Sequence, residues 1–265
     1  MTAIQTKEEL NDEFKNVKYI LTSSMRTKLL LTVYESSKNL EELRTELKKP
    51  SATILHGLKE LETINLIRKS QKYYELTSNG YLLTTNMIKL IENWYSINKS
   101  KKFWNNHDLS DIPDEMIKNI YLLKDDEYEN STTSNLSNAF NKYIDLLSKS
   151  TELKIILPIY SENHFKHIIK LLDENKLNNL ELIVNKKIFK SMKQNTDLRN
   201  ALLKNTKVKV KCIEKDLKLF LTCSNKFMSL TLFFKDGLYD DSQILIGKDK
   251  DAMQWALNLF KFFSD

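Results

Sequence analysis

The side chains best suited to recognise another molecule lie between residues 51 and 80. A helix is predicted over 51–62, because Ser51 is a good N-cap and apolar residues recur there at helical spacing. The expected apolar stripe consists of Ile54, Leu55, Leu58 and Leu61. The expected outer face consists of Thr53, His56, Gly57 and Lys59, which are small or able to form hydrogen bonds. A helix with a short polar face of this kind can read base edges in the major groove of DNA.

Each polar residue of this helix has an expected partner. Thr53 and His56 are the predicted base-edge contacts, and Ser51 and Lys59 are the predicted phosphate contacts at the helix ends. Two of these residues have an alternative interpretation. Lys59 can equally be a solvated lysine beside two glutamates, and His56 can be a surface histidine without a role.

A basic β-hairpin is predicted directly after this helix, over 67–76. Arg68, Lys69 and Lys72 flank a turn at residues 70–71 and are expected to contact the phosphate backbone or the minor groove. The returning strand begins with Tyr73 and Tyr74, whose side chains point to opposite faces because they are neighbours on a strand. One tyrosine therefore faces the core and the other is available to DNA. Tyr73 is included among the candidate contacts, and either residue fits either role.

Further helices are predicted on both sides of this segment. Apolar spacing indicates helices over 7–20, 25–34 and 40–47, and Thr77-Ser78 caps a long helix that runs to about residue 98. The long helix is more apolar than a solvent-facing helix should be. We therefore predict a homodimer that pairs through residues 7–20 and 80–98. The alternative is that the long helix packs onto the C-terminal part of the same chain.

Residues 43–80 resemble the winged helix-turn-helix of arsenical-resistance-type repressors. The resemblance rests on a helix that ends in Leu58-Lys59-Glu60-Leu61, on the basic hairpin after it, and on Leu76, Thr77 and Gly80. It implies an α+β winged helix-turn-helix that binds double-stranded DNA, with the helix and the hairpin as recognition helix and wing. The alternative is a winged helix that docks a component of the transcription machinery.

Metal sensing and catalysis are both disfavoured. Repressors of this type are often metalloregulators, and their sites need thiolates or clustered His and carboxylates. The predicted winged helix contains no Cys, and His164 and His167 supply only two ligands; helix-surface histidines are expected there. The chain has no G-x-S-x-G elbow, no H-E-x-x-H and no Gly-rich phosphate loop. We therefore expect no metal, no cofactor and no catalytic residue.

The C-terminal part of the chain alternates strands and helices. After a DNA-binding and dimerisation domain over 1–98, residues 99–135 are predicted to be a helical linker. The acidic, polar run 124–135 is its best boundary candidate. Residues 136–265 show strand–helix–strand units and then a meander, which predicts an α/β domain with a mixed sheet. The meander is expected to include strands at 208–214, 217–223 and 227–234.

The last 35 residues or so resemble the C-terminal region of archaeal regulators assigned to methanogenesis and filament control. The residues that carry the resemblance are Leu232-Phe233-Phe234, Asp236-Gly237, Tyr239-Asp240, Ala252, Trp255, Ala256, Leu259 and Phe260. With the winged helix, this resemblance covers almost the whole chain. It implies a transcriptional regulator with a C-terminal sensing or assembly domain.

A small-molecule effector is the expected ligand of the C-terminal domain. In such sheets, ligands bind outside the carboxyl ends of the strands. The candidate ligand-binding residues are therefore Tyr160, Ser161, Asn185 and Lys186, next to Pro158. The alternative is that these are ordinary loop residues.

Composition is consistent with a DNA partner for the N-terminal part. The net charge is +6, and residues 1–105 hold 17 basic and 12 acidic residues, so nearly all the excess lies there. The polar start of the chain is unlike a signal peptide, and no apolar run approaches the roughly 20 residues of a membrane span. Cys212 and Cys223 are expected to be buried free thiols. A cytoplasmic protein without a membrane partner is the expectation.

Overall fold

The computed structural model describes residues 7–265, with side chains from residue 11 onward, so residues 1–6 of the predicted first domain lie outside it. The chain divides into two compact units, and each is treated by itself. The N-terminal unit ends at Ile91 and the C-terminal unit begins at Glu92. The boundary therefore lies within the long helix, whereas the sequence prediction placed it after that helix.

Helices and short strands of the N-terminal unit follow the predicted order. The elements are α1 (Lys7–Leu21), α2 (Ser24–Glu35), β1 (Lys38–Asn39), α3 (Leu40–Leu47), α4 (Ser51–Thr63), β2 (Ile67–Ser70), β3 (Tyr73–Leu76) and α5 (Ser78–Lys99). The strands form an antiparallel sheet in the order β1-β3-β2. The predicted two-stranded hairpin thus gains a third strand, which is too short to leave a sequence pattern.

The core of this unit lies between α2, α3, α4 and the hairpin. Its largest fully buried side chains are Leu29, Leu30, Leu43, Ile54, Leu58, Leu61 and Ile67. α2 and α4 cross at Gly57, where an added Cβ would lie 2.8 Å from Leu29 Cδ1 and 3.0 Å from Met25 Cγ. Side chains of α2 thus contact the backbone of α4 at this position, and a larger residue would require Leu29 and Met25 to shift.

The start of α5 is bound to the turn after α4 by backbone contacts. Thr77 Oγ1 donates a hydrogen bond to Asn65 O at 2.6 Å and accepts one from Gly80 N at 3.0 Å. Thr77 N donates to Leu66 O at 3.0 Å. An added Cβ on Gly80 would lie 1.9 Å from the same carbonyl oxygen of Leu66. The Leu-Thr-x-x-Gly motif therefore joins α4, the hairpin and α5 into one rigid piece.

We expect Gly80→Ala to destabilise the N-terminal unit by about 2–3 kcal/mol, in the upper part of the usual range of about 1–3 kcal/mol for overpacking. The new methyl group would collide with backbone, which cannot rotate away as a side chain can. Urea unfolding followed by circular dichroism measures the effect. Asn79→Ala, at the exposed neighbouring position, is the control. Equal midpoints for the two variants would contradict the prediction.

The C-terminal unit contains seven strands and the helices that follow α5. After α5 come α6 (Lys101–Asn106), α7 (Asp114–Lys118), β4 (Glu127–Asn130), α8 (Asn138–Leu147), β5 (Glu152–Leu157), α9 (Glu162–Asp173), β6 (Asn179–Asn185), α10 (Lys186–Gln194), α11 (Thr196–Leu198), β7 (Val208–Ile213), β8 (Leu219–Ser224), β9 (Met228–Leu232), β10 (Gln243–Gly247) and α12 (Lys250–Ser264). A 3₁₀ turn spans Ile120–Leu123 and a π turn spans Arg199–Leu203. Nearly every predicted element after residue 136 is present.

The strands form one mixed sheet in the order β4-β10-β9-β8-β5-β6-β7. β5, β6 and β7 are parallel, and the remaining pairs are antiparallel. The mixed sheet is confirmed, but the predicted meander is wrong in its first strand. β7 pairs with β6 at one edge, while β8 pairs with β5 in the middle of the sheet. Cys212 lies on this edge strand and is exposed, contrary to expectation, whereas Cys223 is buried.

Residues 99–135 are part of this unit and not a linker. Phe103, Trp104 and Ile120 are buried in the same core as Trp255 of α12. The acidic run predicted as a boundary contains β4, which pairs with β10 at the other edge of the sheet. The polarity of that run reflects an edge strand with exposed and half-buried side chains. A second core, beneath α8–α11, covers the opposite face of the sheet.

Asp126 is a buried carboxyl group just before β4. It is 1% exposed, and neither oxygen has a hydrogen-bond partner among the described residues. Burial, with a contribution from Asp249, raises the pKa of Asp126 to about 8. The folded protein therefore holds a proton that the unfolded chain, with an ordinary aspartate pKa, releases above about pH 4.

This proton makes stability depend on pH in a defined direction. Because the folded-state pKa is raised, the free energy of unfolding should fall as pH rises from about 4 to about 8. We expect Asp126→Asn to be more stable than the parent protein above neutral pH and to lose this slope. Thermal unfolding at pH 5, 7 and 9 measures it. Asp125→Asn, a change at an exposed neighbour, should keep the pH dependence of stability seen in the parent protein. If both variants lose this dependence, it does not arise from Asp126.

Candidate functional site

The outer face of α4 is a continuous exposed strip. Ala52, Thr53, Leu55, His56 and Lys59 are all exposed on it. Two side assignments from the sequence are wrong. The predicted core residue Leu55 is 43% exposed, and the predicted surface residue Gly57 is buried against α2. The two positions lie about 200° apart around the helix, so burial of Gly57 against α2 leaves Leu55 on the outer side.

The start of α4 also differs from expectation. Pro50 is the N-cap, Ser51 is the first helical residue, and no side chain caps the first turn. The preceding Lys48 adopts a left-handed conformation (φ 51°) that ends α3. Lys48 and Lys49 are exposed in this turn. Two lysines that the sequence prediction did not use thus stand beside the exposed strip.

The hairpin presents its cations to solvent. Its turn lies at Gln71-Lys72, one residue later than predicted, with Gln71 in the left-handed region (φ 54°). Tyr74 is 4% exposed and belongs to the core, so the half-buried Tyr73 is the tyrosine available to a partner. Lys72 Nζ lies 5.6 Å from the centre of the Tyr73 ring.

The predicted cations are not equivalent. Arg68 Nε donates to Glu75 Oε1 at 2.7 Å, so its charge is already paired. Among the ion pairs of the described residues, none involves Lys48, Lys49, Lys59, Lys69 or Lys72. These five lysines leave an uncompensated positive charge around the exposed strip. Such a surface attracts polyanions.

Glu60 is a half-buried carboxylate next to Lys59, and residues of α1 and α2 bind it. It accepts hydrogen bonds from Arg26 Nη1 at 3.0 Å and from the Tyr19 hydroxyl at 3.1 Å. The Arg26 guanidinium also lies 3.7 Å from the centre of the Tyr19 ring. His56 Nε2 lies 3.6 Å from Glu60 Oε1. The carboxylate is thus neutralised by a buried arginine and does not oppose an anionic partner.

A second exposed surface is apolar and lies on α1 and α5. Phe14, Val17 and Leu21 are exposed on α1. The exposed apolar residues of α5 within the N-terminal unit are Tyr81, Leu82, Leu90 and Ile91. Between the two helices lies a groove of about 170 Å³ that is lined by Val17, Ile20, Leu21, Leu83, Asn86, Met87 and Leu90. A surface of this kind is a common mark of an interaction site.

The C-terminal unit holds a cavity of about 430 Å³ between α8, α9 and the sheet. Tyr160 and Ser161 of the predicted ligand site line it. Asn185 does not; its Oδ1 caps α10 and its Nδ2 donates to Asp216 Oδ1 at 2.8 Å. Asn185 lines a separate cavity of about 400 Å³ with Pro158 and Tyr160. The predicted site is therefore divided between two cavities.

Lys186 lines neither cavity and forms an ion pair with Glu214, with 2.5 Å between Lys186 Nζ and Glu214 Oε2. The ion pair with Glu214 raises the pKa of Lys186. This residue of the predicted ligand site is thus an exposed surface lysine. The position of a residue at the end of a strand, on which the prediction rested, does not show whether its side chain lines a cavity.

His164 is not a surface histidine, as the sequence suggested, but part of a buried polar network. Its Nε2 lies 2.8 Å from the Tyr143 hydroxyl, which lies 3.2 Å from Thr222 Oγ1. Burial lowers the pKa of His164 to about 3, so the ring is uncharged at neutral pH. Among the described residues, no three His, Cys, Asp or Glu side chains are grouped closely enough to hold a metal ion.

Family comparisons place the chain among regulatory proteins. The family model for the N-terminal domain of methanogenesis regulatory protein FilR1 matches residues 14–94, and the model for its middle domain matches residues 136–265. The chain belongs to the FilR1 family of methanogenesis regulatory proteins. The predicted resemblance to this family is confirmed.

One relative and two solved structures are similar over most of the chain. Methanogenesis regulatory protein FilR1 of Methanothrix harundinacea (strain 6Ac) is 25% identical over 261 residues, which is 96% of this chain. The chain spans 57% of that protein's length. The archaeal chromatin protein TrmBL2 has a TM-score of 0.41 and 14% identity, with 89% of each chain covered. An O-methyltransferase family protein from Burkholderia thailandensis has a TM-score of 0.28 and 12% identity, with 82% of this chain and 66% of that chain covered.

Both TM-scores are below 0.5, so neither structural likeness bears on the function of this chain. From residue 7 onward, the structure has no helix that is long and apolar enough to cross a membrane. The site residues that the sequence prediction missed are Lys48, Lys49, Leu55, Tyr143 and Phe220. Each carries no local signal, because only packing decides whether it is exposed or lines a cavity.

Proposed function

We propose that the chain is a DNA-binding transcriptional regulator whose N-terminal unit is a winged helix. The observation that carries the proposal is the exposed strip of α4 surrounded by five unpaired lysines. A two-helix turn followed by a basic hairpin is the arrangement by which winged helices meet DNA. The family is regulatory, which supports the same conclusion. The proposal includes no catalytic step and no cofactor, and it locates the protein with the chromosome in the cytoplasm.

In this proposal α4 enters the major groove. Thr53 and His56 contact base edges, and the exposed Leu55 between them offers an apolar contact to a thymine methyl group. Ser51 lies on the first turn of α4, whose N-terminal backbone N–H groups favour a phosphate. Lys59 contacts phosphate from the other end of the helix.

The hairpin acts as the wing in this proposal and follows the backbone. Lys69 and Lys72 contribute more than Arg68, because Arg68 must leave Glu75 before it can bind a phosphate. Tyr73 rather than Tyr74 is the aromatic contact, since Tyr74 is buried in the core. This order of importance separates the three cations, which the sequence treated alike.

A homodimer completes the proposal. The exposed apolar residues of α1 and α5 would be covered by the same residues of a second copy, as two-fold symmetry requires. Two α4 helices would then face one side of the DNA and read an inverted repeat. Protein docking through the winged helix is the competing function, and it predicts no salt-dependent affinity for DNA.

We expect Lys69→Ala with Lys72→Ala to weaken binding to all DNA sequences roughly tenfold and to reduce the slope of log affinity against log salt by about 2, because two phosphate contacts are lost. Thr53→Ala should instead lower the preference for the selected site roughly tenfold. The measurement is selection of genomic fragments, followed by fluorescence anisotropy at two salt concentrations. Lys226→Ala with Lys235→Ala, an equal charge change at exposed positions of the C-terminal unit, is the control.

If this control weakens DNA binding as much as the wing variant, the affinity comes from net charge and the docking of α4 is wrong. Arg68→Ala alone should have a smaller effect than Lys69→Ala alone. Absence of salt-dependent binding in the parent protein would favour protein docking instead.

Leu90→Lys tests the dimer, because it places a charge at an exposed apolar position beside the α1–α5 groove. We expect the dissociation constant of the dimer to rise at least about 100-fold, as for a central interface residue. Analytical ultracentrifugation measures it. Leu136→Lys, at a 78% exposed leucine of the C-terminal unit, is the control. A parent protein that is monomeric at high concentration, or a dimeric Leu90→Lys variant, would contradict the proposed interface.

A further inference from the structure

Six side chains that carry an aromatic ring line the 430 Å³ cavity of the C-terminal unit. Tyr143 packs on Phe220 with ring centres 5.5 Å apart, and His164 packs on Phe220 with ring centres 4.9 Å apart. Phe140 of α8 meets His164 edge to face. Tyr160 and Tyr239 are the other aromatic residues of the lining. Aromatic walls favour flat ligands, since a ring can stack on them or meet them edge to face. The volume lies within the roughly 300–1,000 Å³ of small-molecule sites.

The charge of the cavity restricts the ligand further. Within the described part of the chain, no Lys or Arg lines this cavity, and Asp241 is its charged lining residue. His164 cannot supply a positive charge at neutral pH, because burial lowers its pKa to about 3. An anion in this cavity would lose its hydration without gaining a counter-charge. Because no cationic side chain of the described residues lines the cavity, an uncharged ligand is favoured over acids, phosphates and sulfonates.

Polar groups remain available inside the cavity. His164 Nε2 is engaged with Tyr143, but its Nδ1 has no hydrogen-bond partner among the described residues. Asn163, Ser161 and Gln243 also line the space. One ring nitrogen on a buried, fixed side chain is the kind of group that orients a ligand by a single hydrogen bond.

We propose that this cavity binds an uncharged, planar ring compound that offers one hydrogen-bonding group to His164. This compound is the effector of the regulator, and only its role as effector rests on the proposed function. Binding itself is independent of DNA. It can therefore be tested, and can fail, separately from the winged-helix proposal.

The test uses two dyes that share one ring skeleton. N-phenyl-1-naphthylamine is uncharged, whereas 8-anilino-1-naphthalenesulfonate carries an added sulfonate, and both fluoresce more strongly in apolar surroundings. We expect the uncharged dye to saturate at one molecule per full-length chain. The sulfonate should bind at least about tenfold more weakly, because the cavity offers no counter-charge.

A plugging variant assigns the dye to the cavity. Ser137 is an exposed lining residue at the start of α8, and its side chain makes no capping hydrogen bond. Ser137→Trp should weaken binding of the uncharged dye at least about tenfold by filling the entrance. Ser148→Trp, at an exposed position beyond the other end of α8, should change it less than about twofold. His164→Phe should keep the ring wall but weaken binding several-fold by removing the nitrogen.

Three results would overturn the proposal. One is equal affinity for the two dyes, and another is unchanged binding in Ser137→Trp. The third is binding that survives Ser137→Trp but is lost in Leu90→Lys, which would place the dye in the α1–α5 groove. Circular dichroism confirms that each variant is folded, and none of these results depends on DNA binding.

Discussion

The N-terminal unit depends on a backbone contact too close for any side chain. Gly80, at the start of α5, lies against the carbonyl of Leu66, and Thr77 bonds both to Asn65 and to Gly80. The end of α4, the hairpin and the start of α5 therefore cannot move separately. A rigid junction has a functional consequence. In the proposed dimer, pairing through α5 would also set the spacing of the two α4 helices, and hence the spacing of the DNA half-sites.

A second set of contacts holds α4 to α1 and α2. Arg26 of α2 bonds Glu60 of α4 and stacks on Tyr19 of α1. α4 is thus held by α5 through the glycine junction and by α1 through the arginine. The same arginine neutralises the Glu60 carboxylate, so one buried cation both holds α4 in place and reduces the negative charge beside the exposed strip. Site-forming side chains on rigid elements are positioned more accurately than those on free loops.

In the C-terminal unit, a buried hydrogen bond links the loop that lines the cavity to the segment that follows α5. Tyr239 and Asp241 line the cavity, and Asp240 between them lies 3.0 Å from His107 Nε2. His107 directly follows α6, and its Nδ1 lies 2.6 Å from Phe103 O. A ligand that shifts the 239–241 loop would therefore act on α6 through a buried contact. Such a contact is the physical element that ligand control would need, because coupling requires different contacts in two states.

Most of the secondary structure was predictable from local pattern, since apolar spacing and capping are properties of neighbouring residues. The helices from Ser24 to Lys99, the mixed sheet and the candidate cations all follow from it. Tertiary packing decided the rest. The orientation of α4 depends on α2 meeting Gly57, the place of β7 depends on β6, and the pairing of Arg68 depends on Glu75 across the hairpin. The cavity brings together residues from α8, α9, β8 and the loop before β10. Contacts between such distant positions leave no period or spacing in the chain, and only folding brings them together.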